Sequence, residues 1–183
     1  VPAVNGQVSL QASVSHPHVL AAKSNDLFLQ VDVRGHAGEV RGRLPLDIAL
    51  VIDRSGSMSG SKLSYAKAAA RKLVSHLADG DRLAILTYGS DVTTLVPSTR
   101  LDRSNRASII QRINGIHDYG GTFISGALQQ AVAALRDTLT AQRLARVILI
   151  SDGQANEGIT TQAGLSRLAR QAAGHGVAVT TMG

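Results

Sequence analysis

Cysteine and tryptophan are both absent from this chain of 183 residues, and two phenylalanines and three tyrosines are its only aromatics. Without cysteine there is no disulfide staple, no thiolate metal centre and no cysteine nucleophile, and no redox signal from which to read the compartment. The shortage of aromatics removes the stacking platforms on which single-stranded nucleic acid is held, so no nucleic-acid partner is expected. No apolar run approaches the roughly 18 residues that would span a bilayer. The first residues also lack the charged-then-apolar pattern of a signal peptide. A soluble chain without a transmembrane segment is expected. It begins at Val1 instead of Met, as a processed or trimmed product would.

Apolar residues make up 44% of the chain, enough to bury a core in about one domain. The formal charge of +6 comes from residues spread along the sequence, among them Arg41, Arg43, Arg100, Arg103, Arg106, Arg112, Arg143 and Arg146. With no dense basic block, the excess reads as a solvated basic surface that leans toward an acidic partner.

Residues 7–14 (QVSLQASV) and 27–33 (LFLQVDV) alternate apolar and polar side chains, as strands half buried in an antiparallel sheet do. Between them lies a loop in which His16 and His18 flank Pro17. Two histidines could hold a metal, but no carboxylate or third imidazole stands near them in sequence. Residues 35–42 (GHAGEVRG) read as a turn-rich joint. Residues 1–43 are therefore taken as an N-terminal β extension, too small to be stable without a covering partner.

From Leu44 the pattern changes to strands alternating with helices. Strands are predicted at 46–52, in RLAILTYG, in DVTTLVP, where Pro97 closes a short edge strand, at 145–152 and in VAVTTM. Helical spacing marks four helices. The first carries Leu63, Ala66, Ala70 and Leu77, with Gly80 as its stop. The second carries Ile109, Ile110 and Ile113, with Asp102 as its N-cap; the third runs from Leu128 to Leu139, and the fourth holds Leu165 to Ala172. The expected fold class is α/β: a doubly wound, mostly parallel, Rossmann-like sheet with helices on both faces. In such sheets ligands bind at the carboxyl ends of the strands. The two most apolar strands end in Asp53 and Asp152, which places both acids on one rim.

The segment LDIALVIDRSGSM, residues 46–58, ends a buried strand with Asp53, Ser55 and Ser57. These are hard oxygen donors, the set preferred by Mg2+, Mn2+ or Ca2+. In a straight strand, positions 53 and 57 would lie roughly 13 Å apart, so a shared ion requires the segment to curl. Gly56 is expected to supply the backbone freedom for that curl. The glycine-rich loop YGGTFISG offers Thr122, and SDGQANEG offers Asp152, at the same rim. Two carboxylates cancel a divalent charge, and three hydroxyls leave the ion short of an anionic ligand. A carboxylate from a partner protein fits that position. Local roles are open to the same residues: Asp53 or Ser55 in a turn or cap, Thr122 as a helix cap, Asp152 in an Asx-turn.

DRSGSM resembles the DxSxS element of the von Willebrand factor A domain. The segments holding Thr122 and Asp152 resemble the second and third parts of that family's metal-ion-dependent adhesion site, in the same chain order. The resemblance covers residues 44–183 and implies a metal-dependent protein-binding module, not an enzyme. It also implies Mg2+ or Mn2+, with Ca2+ possible, coordinated directly by Ser55, Ser57 and Thr122, and by Asp53 and Asp152 directly or through water. Relative to the family pattern, the domain stops early, after the strand VAVTTM. The β extension followed by an A domain is similar to bacterial surface or periplasmic proteins, which implies an extracytoplasmic location.

The competing readings fit less well. Haloacid-dehalogenase-like phosphotransferases also place an aspartate at a strand end, but carry a second one two residues later, where this chain has Ser55. SGSMSGSK contains no GK[ST], and GSMSG has Met58 where a nucleophile elbow needs serine. An A domain whose ion serves folding or assembly stays open beside adhesion.

Overall fold

The computed structural model describes residues 3–5, 8–16, 18, 26–35 and 43–183. The chain divides into two compact units, Val1–Arg43 and Leu44–Gly183. Pro17 and the joint at 36–42 lie outside the described residues.

In the first unit, β1 (Ala3–Asn5), β2 (Val8–Val14) and β3 (Leu29–Gly35) form an antiparallel sheet in that order. Leu10 faces Val33, Ala12 faces Val31 and Val14 faces Leu29, so the period-2 pattern puts the apolar side chains on one face. The pairing partner β1 is a strand that the alternation did not reveal, because three residues are too few to show a period.

The second unit is a five-stranded sheet of order β6-β5-β4-β7-β8. Its strands are β4 (Leu46–Asp53), β5 (Arg82–Tyr88), β6 (Val92–Arg100), β7 (Leu144–Ile150) and β8 (Val177–Met182). All neighbours are parallel except β5 and β6, giving the mostly parallel α/β sheet expected. One face of the sheet (Ile48, Leu50, Ile52) packs on α1 (Ser61–His76) and α2 (Arg106–Asn114), which contribute Ala70, Val74, Ile109 and Ile113. The other face (Ala49, Val51) packs on α3 (Ile124–Arg136) and α4 (Gln162–Gly174), through Ala131, Leu135 and Ala172. The central strand β4 is buried along almost its whole length, which is why it reads as a continuous apolar run instead of alternating.

From β4 the chain crosses by α1 to β5 on one side, and from β7 it crosses by α4 to β8 on the other. The carboxyl ends of β4 and β7 are therefore a topological switch point, where the departing connections open a crevice.

Several boundaries differ from the sequence reading; α3, for one, ends at Arg136 and leaves Leu139 beyond it. Pro97 does not close β6, which runs through it to Arg100: β6 is an edge strand, and its register shifts beside Leu83 and Ile85 accommodate a residue without an N–H. The N-cap of α2 is Asn105, not Asp102. Asp102 instead accepts from the N–H groups of Ser104 (2.7 Å) and Asn105 (3.1 Å) in the preceding turn. Finally, α1 ends at His76, four residues before Gly80, and the Leu77 N–H completes its last turn on the Leu73 carbonyl.

Candidate metal centre

Asp53, the last residue of β4, is fully buried. Its carboxylate is engaged from two sides. The Ser55 N–H donates to Oδ1 at 2.8 Å, while the hydroxyls of Tyr88 (3.1 Å) and Ser151 (2.7 Å) donate to Oδ2. Burial pushes the Tyr88 phenol well above the ordinary tyrosine value, so it stays protonated and serves as donor to Asp53.

Beyond Asp53 the chain makes one 3-10 turn, Gly56–Met58. This is the required curl, but its cause differs from the one expected. Gly56 is not in the left-handed region, and a Cβ placed on it would meet nothing nearer than the Gly120 carbonyl oxygen at 3.9 Å. Hydrogen bonding within the turn supplies the bend: the Met58 N–H donates to the Ser55 carbonyl and the Ser59 N–H to that of Gly56.

The curl stacks the hydroxyls. Ser55 Oγ lies 3.1 Å from Ser57 Oγ, and Ser57 Oγ donates to Asp152 Oδ1 at 2.9 Å. Strand β7 ends at Ile150, so Ser151 and Asp152 sit just past its tip instead of inside it. The last sheet hydrogen bond there runs from the Ser151 N–H to the Met182 carbonyl. Lys62, in the first turn of α1, donates to Asp152 Oδ2 at 2.5 Å. That ammonium, and then the Ser57 hydroxyl, hold the Asp152 carboxyl below the usual carboxylate range.

Thr122 is buried and reaches the rim through backbone contacts. The Gly56 N–H donates to the Gly120 carbonyl (3.1 Å) and the Tyr119 N–H to that of Arg54 (2.6 Å). The Thr122 N–H donates to Asn156 Oδ1 at 2.7 Å, and the Asn156 N–H returns to the Thr122 carbonyl at 3.2 Å. Four of the five expected ligands, Asp53, Ser55, Ser57 and Asp152, are thus joined in one hydrogen-bonded chain. Thr122 is held on the adjoining loop without a hydrogen bond from its hydroxyl to any of them. The local alternatives divide. Asp53 does make an Asx-type bond to Ser55. Thr122 does not cap α3, whose N-cap is Phe123, and Ser151, not Asp152, accepts from the Gly153 N–H.

Tyr88, Ser151, Lys62 and Asn156 carry much of this geometry and were not singled out from sequence. Ser151 precedes Asp152 and Lys62 falls in the first turn of a helix that starts at the rim; those positions were the available signals. Arg54 pairs with Asp91 at 2.6 Å and lies 5.5 Å from the Tyr119 ring centroid, and Asp118 beside it is exposed.

The donor chemistry fits a hard divalent cation. Each of the four side chains offers oxygen, and two are carboxylates. Among the described residues no group of three or more His, Asp or Glu comes together, so hydroxyls would have to complete the coordination. His16 and His18 gain no third ligand, and His16 Nδ1 lies 3.0 Å from the Ser15 hydroxyl.

The sequence model of the von Willebrand factor type A domain matches residues 48–154. An uncharacterized protein of Synechocystis, sll0103, is 31% identical over 71% of the chain, and the E3 ubiquitin-protein ligase WAV3 of Arabidopsis thaliana is 33% identical over 61%. The chain spans 30% of the length of the first and 15% of the second. Among solved structures, a von Willebrand factor type A protein from Catenulispora acidiphila superposes on 97% of the chain, using 41% of its own, with a TM-score of 0.71 at 23% identity. The vWF domain of the type V pili tip protein Mfa5 from Porphyromonas gingivalis covers 62% of the chain and 40% of its own, with a TM-score of 0.54 at 27% identity.

Proposed function

Because the chain belongs to the von Willebrand factor type A domain family, we propose that it is a protein-binding module whose switch-point rim is a metal-ion-dependent adhesion site. The observation that carries this reading is the continuous oxygen chain from Ser55 through Ser57 to Asp152, which ties the end of β4 to the end of β7.

In this reading Ser55, Ser57 and Thr122 hold Mg2+ or Mn2+, with Ca2+ an alternative, and Asp152 offsets part of its charge. Asp53 already accepts three hydrogen bonds, which leaves a carboxylate about one free acceptor position. It therefore orients Ser55 and Ser151 and reaches the ion through at most one lone pair or a water. The cation, when bound, supplies a positive centre kept electrophilic by neutral hydroxyls, and a carboxylate of a partner protein is its natural complement. Around it the chain's own residues set the shape: the Arg54–Asp91 pair steadies the exposed Tyr119 at the edge of the rim.

The reading is of a binding module and not an enzyme. Ser55 stands where a phosphotransferase would need its second acid, and the ligase activity named for WAV3 belongs to a protein of which the chain covers 15%. An extracytoplasmic location, at a cell surface or in the periplasm, is proposed with it, supported by the likeness to a pilus-tip domain.

Thermal melts and isothermal titration with Mg2+ and Mn2+ test the site. A cation that binds only the folded state at a hundred times its Kd adds about 2.7 kcal/mol. That increment is expected for the native chain and should vanish in Asp152→Ala and in Ser57→Ala, the latter at an exposed position. An unchanged metal response in both variants would remove the site assignment. Metal-dependent hydrolysis of generic phosphatase substrates, lost in the same variants, would favour the enzyme instead.

A further inference from the structure

A second feature opens beside this rim and is not used by it. Between α1 and the C-terminal end of α2 with the segment that follows it lies a cavity of about 320 Å3, lined by Lys67 and Arg71 on one side and by Asn114, Ile116, His117 and Asp118 on the other. Both cations are half-buried, and each is held by a neutral oxygen: Lys67 Nζ donates to the Ile116 carbonyl at 2.6 Å, and an Arg71 guanidinium N–H to Asn114 Oδ1 at 3.0 Å. Neither has an acid within ion-pair distance among the described residues, whereas Lys62 on the same helix is matched by Asp152. Asp118 lines the cavity without pairing to either, so the two basic side chains outweigh the one acid there.

We propose that this cavity takes a second carboxylate side chain of the same protein partner, so that the partner docks by two acids, one at the rim and one between Lys67 and Arg71. The proposal rests on the adhesion reading for the first acid only. A half-buried cation has surrendered part of its hydration, and neutral carbonyls return less than an anion would. The guanidinium keeps N–H groups beyond the one given to Asn114, and a planar carboxylate matches them. Position favours one partner for both sites. The cavity begins at Gly60, three residues past Ser57, and ends at Asp118, four before Thr122. Along α1, Lys67 lies about 9 Å from Ser61 and Arg71 about 15 Å, a span of a few residues in an extended peptide.

The probe is a synthetic peptide of alternating glutamate and glycine, titrated into the full chain while backbone amide NMR shifts are followed. In chelator the peptide is expected to shift Gly60, Ser64 and His117, all of which line the cavity. Arg71→Gln should weaken that binding about tenfold, the loss of one charge-assisted hydrogen bond, and Asp118→Asn should strengthen it. Adding Mg2+ should tighten the native chain further, and Asp152→Ala should remove only that increment. No Mg2+ increment in the native chain, with the chelator-resistant shifts intact, would strike the metal reading and leave the cavity standing. No shift at Gly60, Ser64 or His117 in either condition would overturn the second site, as would equal binding by Arg71→Gln. Inorganic phosphate displacing the peptide from those residues at lower concentration would reassign the cavity to a phosphate ligand.

Discussion

A methyl group at Gly89 would prevent the rim from closing. A Cβ there would stand 2.1 Å from the Tyr119 carbonyl oxygen and 3.2 Å from its carbon, and a backbone neighbour cannot swing aside as a side chain would. Gly120, just after it, has φ of 82° and packs on Ser90. Gly89→Ala is therefore expected to cost about 2–3 kcal/mol, as overpacking does, and to blunt the response to Mg2+. Gly56→Ala should stay within about 0.5 kcal/mol of native. Urea unfolding of the two variants gives the comparison, and equal losses would contradict the geometry. The sequence could not make this distinction. Gly56 and Gly89 look alike as loop glycines, and the close approach at Gly89 joins segments thirty residues apart. Asp53, Ser55, Ser57 and Asp152 were legible because each sits at or just past the end of an apolar run. Tyr88 and Ser151 were not, because their role depends on which strands become neighbours.

Among the elements, α4 is the helix with a side-chain cap at its start. The Thr161 hydroxyl accepts from the Gly164 N–H at 3.2 Å, whereas α1, α2 and α3 begin without one. Thr161→Ala should destabilise the chain by about 1 kcal/mol, seen as a lower denaturation midpoint at unchanged slope. A neutral result would mean that the helix is held by packing, of Ala172 and Leu165 among others, and not by its cap. Element type was readable throughout the second unit, since helical and strand periods differ sharply. Ends were not. Asp102 and Asn105 are equally good caps on paper, and the choice falls to Asn105 because Asp102 is already committed to Ser104 and Asn105. Pro97 looked like a terminator because only the sheet order reveals that its strand lies at an edge.

For the molecule as a whole, the switch point was legible before the fold, because the two most apolar strands are the two that need burial on both faces. The division into Val1–Arg43 and Leu44–Gly183 makes a further test possible. Expressed from Leu44 onward, the chain is expected to unfold in one cooperative transition and to keep its Mg2+ response; a molten, non-cooperative melt would show that the two units depend on each other. Far from the rim, buried Asp47 pairs with Arg143 and anchors the opposite end of β4. At the rim itself, the loops are tied to one another by main-chain bonds, Gly56 to Gly120, Tyr119 to Arg54, Phe123 to Gly89 and Asn156 to Thr122. Placed in heavy water, those four amide protons should be replaced by deuterium nearly as slowly as those of the strands beneath them, although they belong to loops. An arriving guest would then meet walls already set in place and would spend none of its binding energy on ordering them.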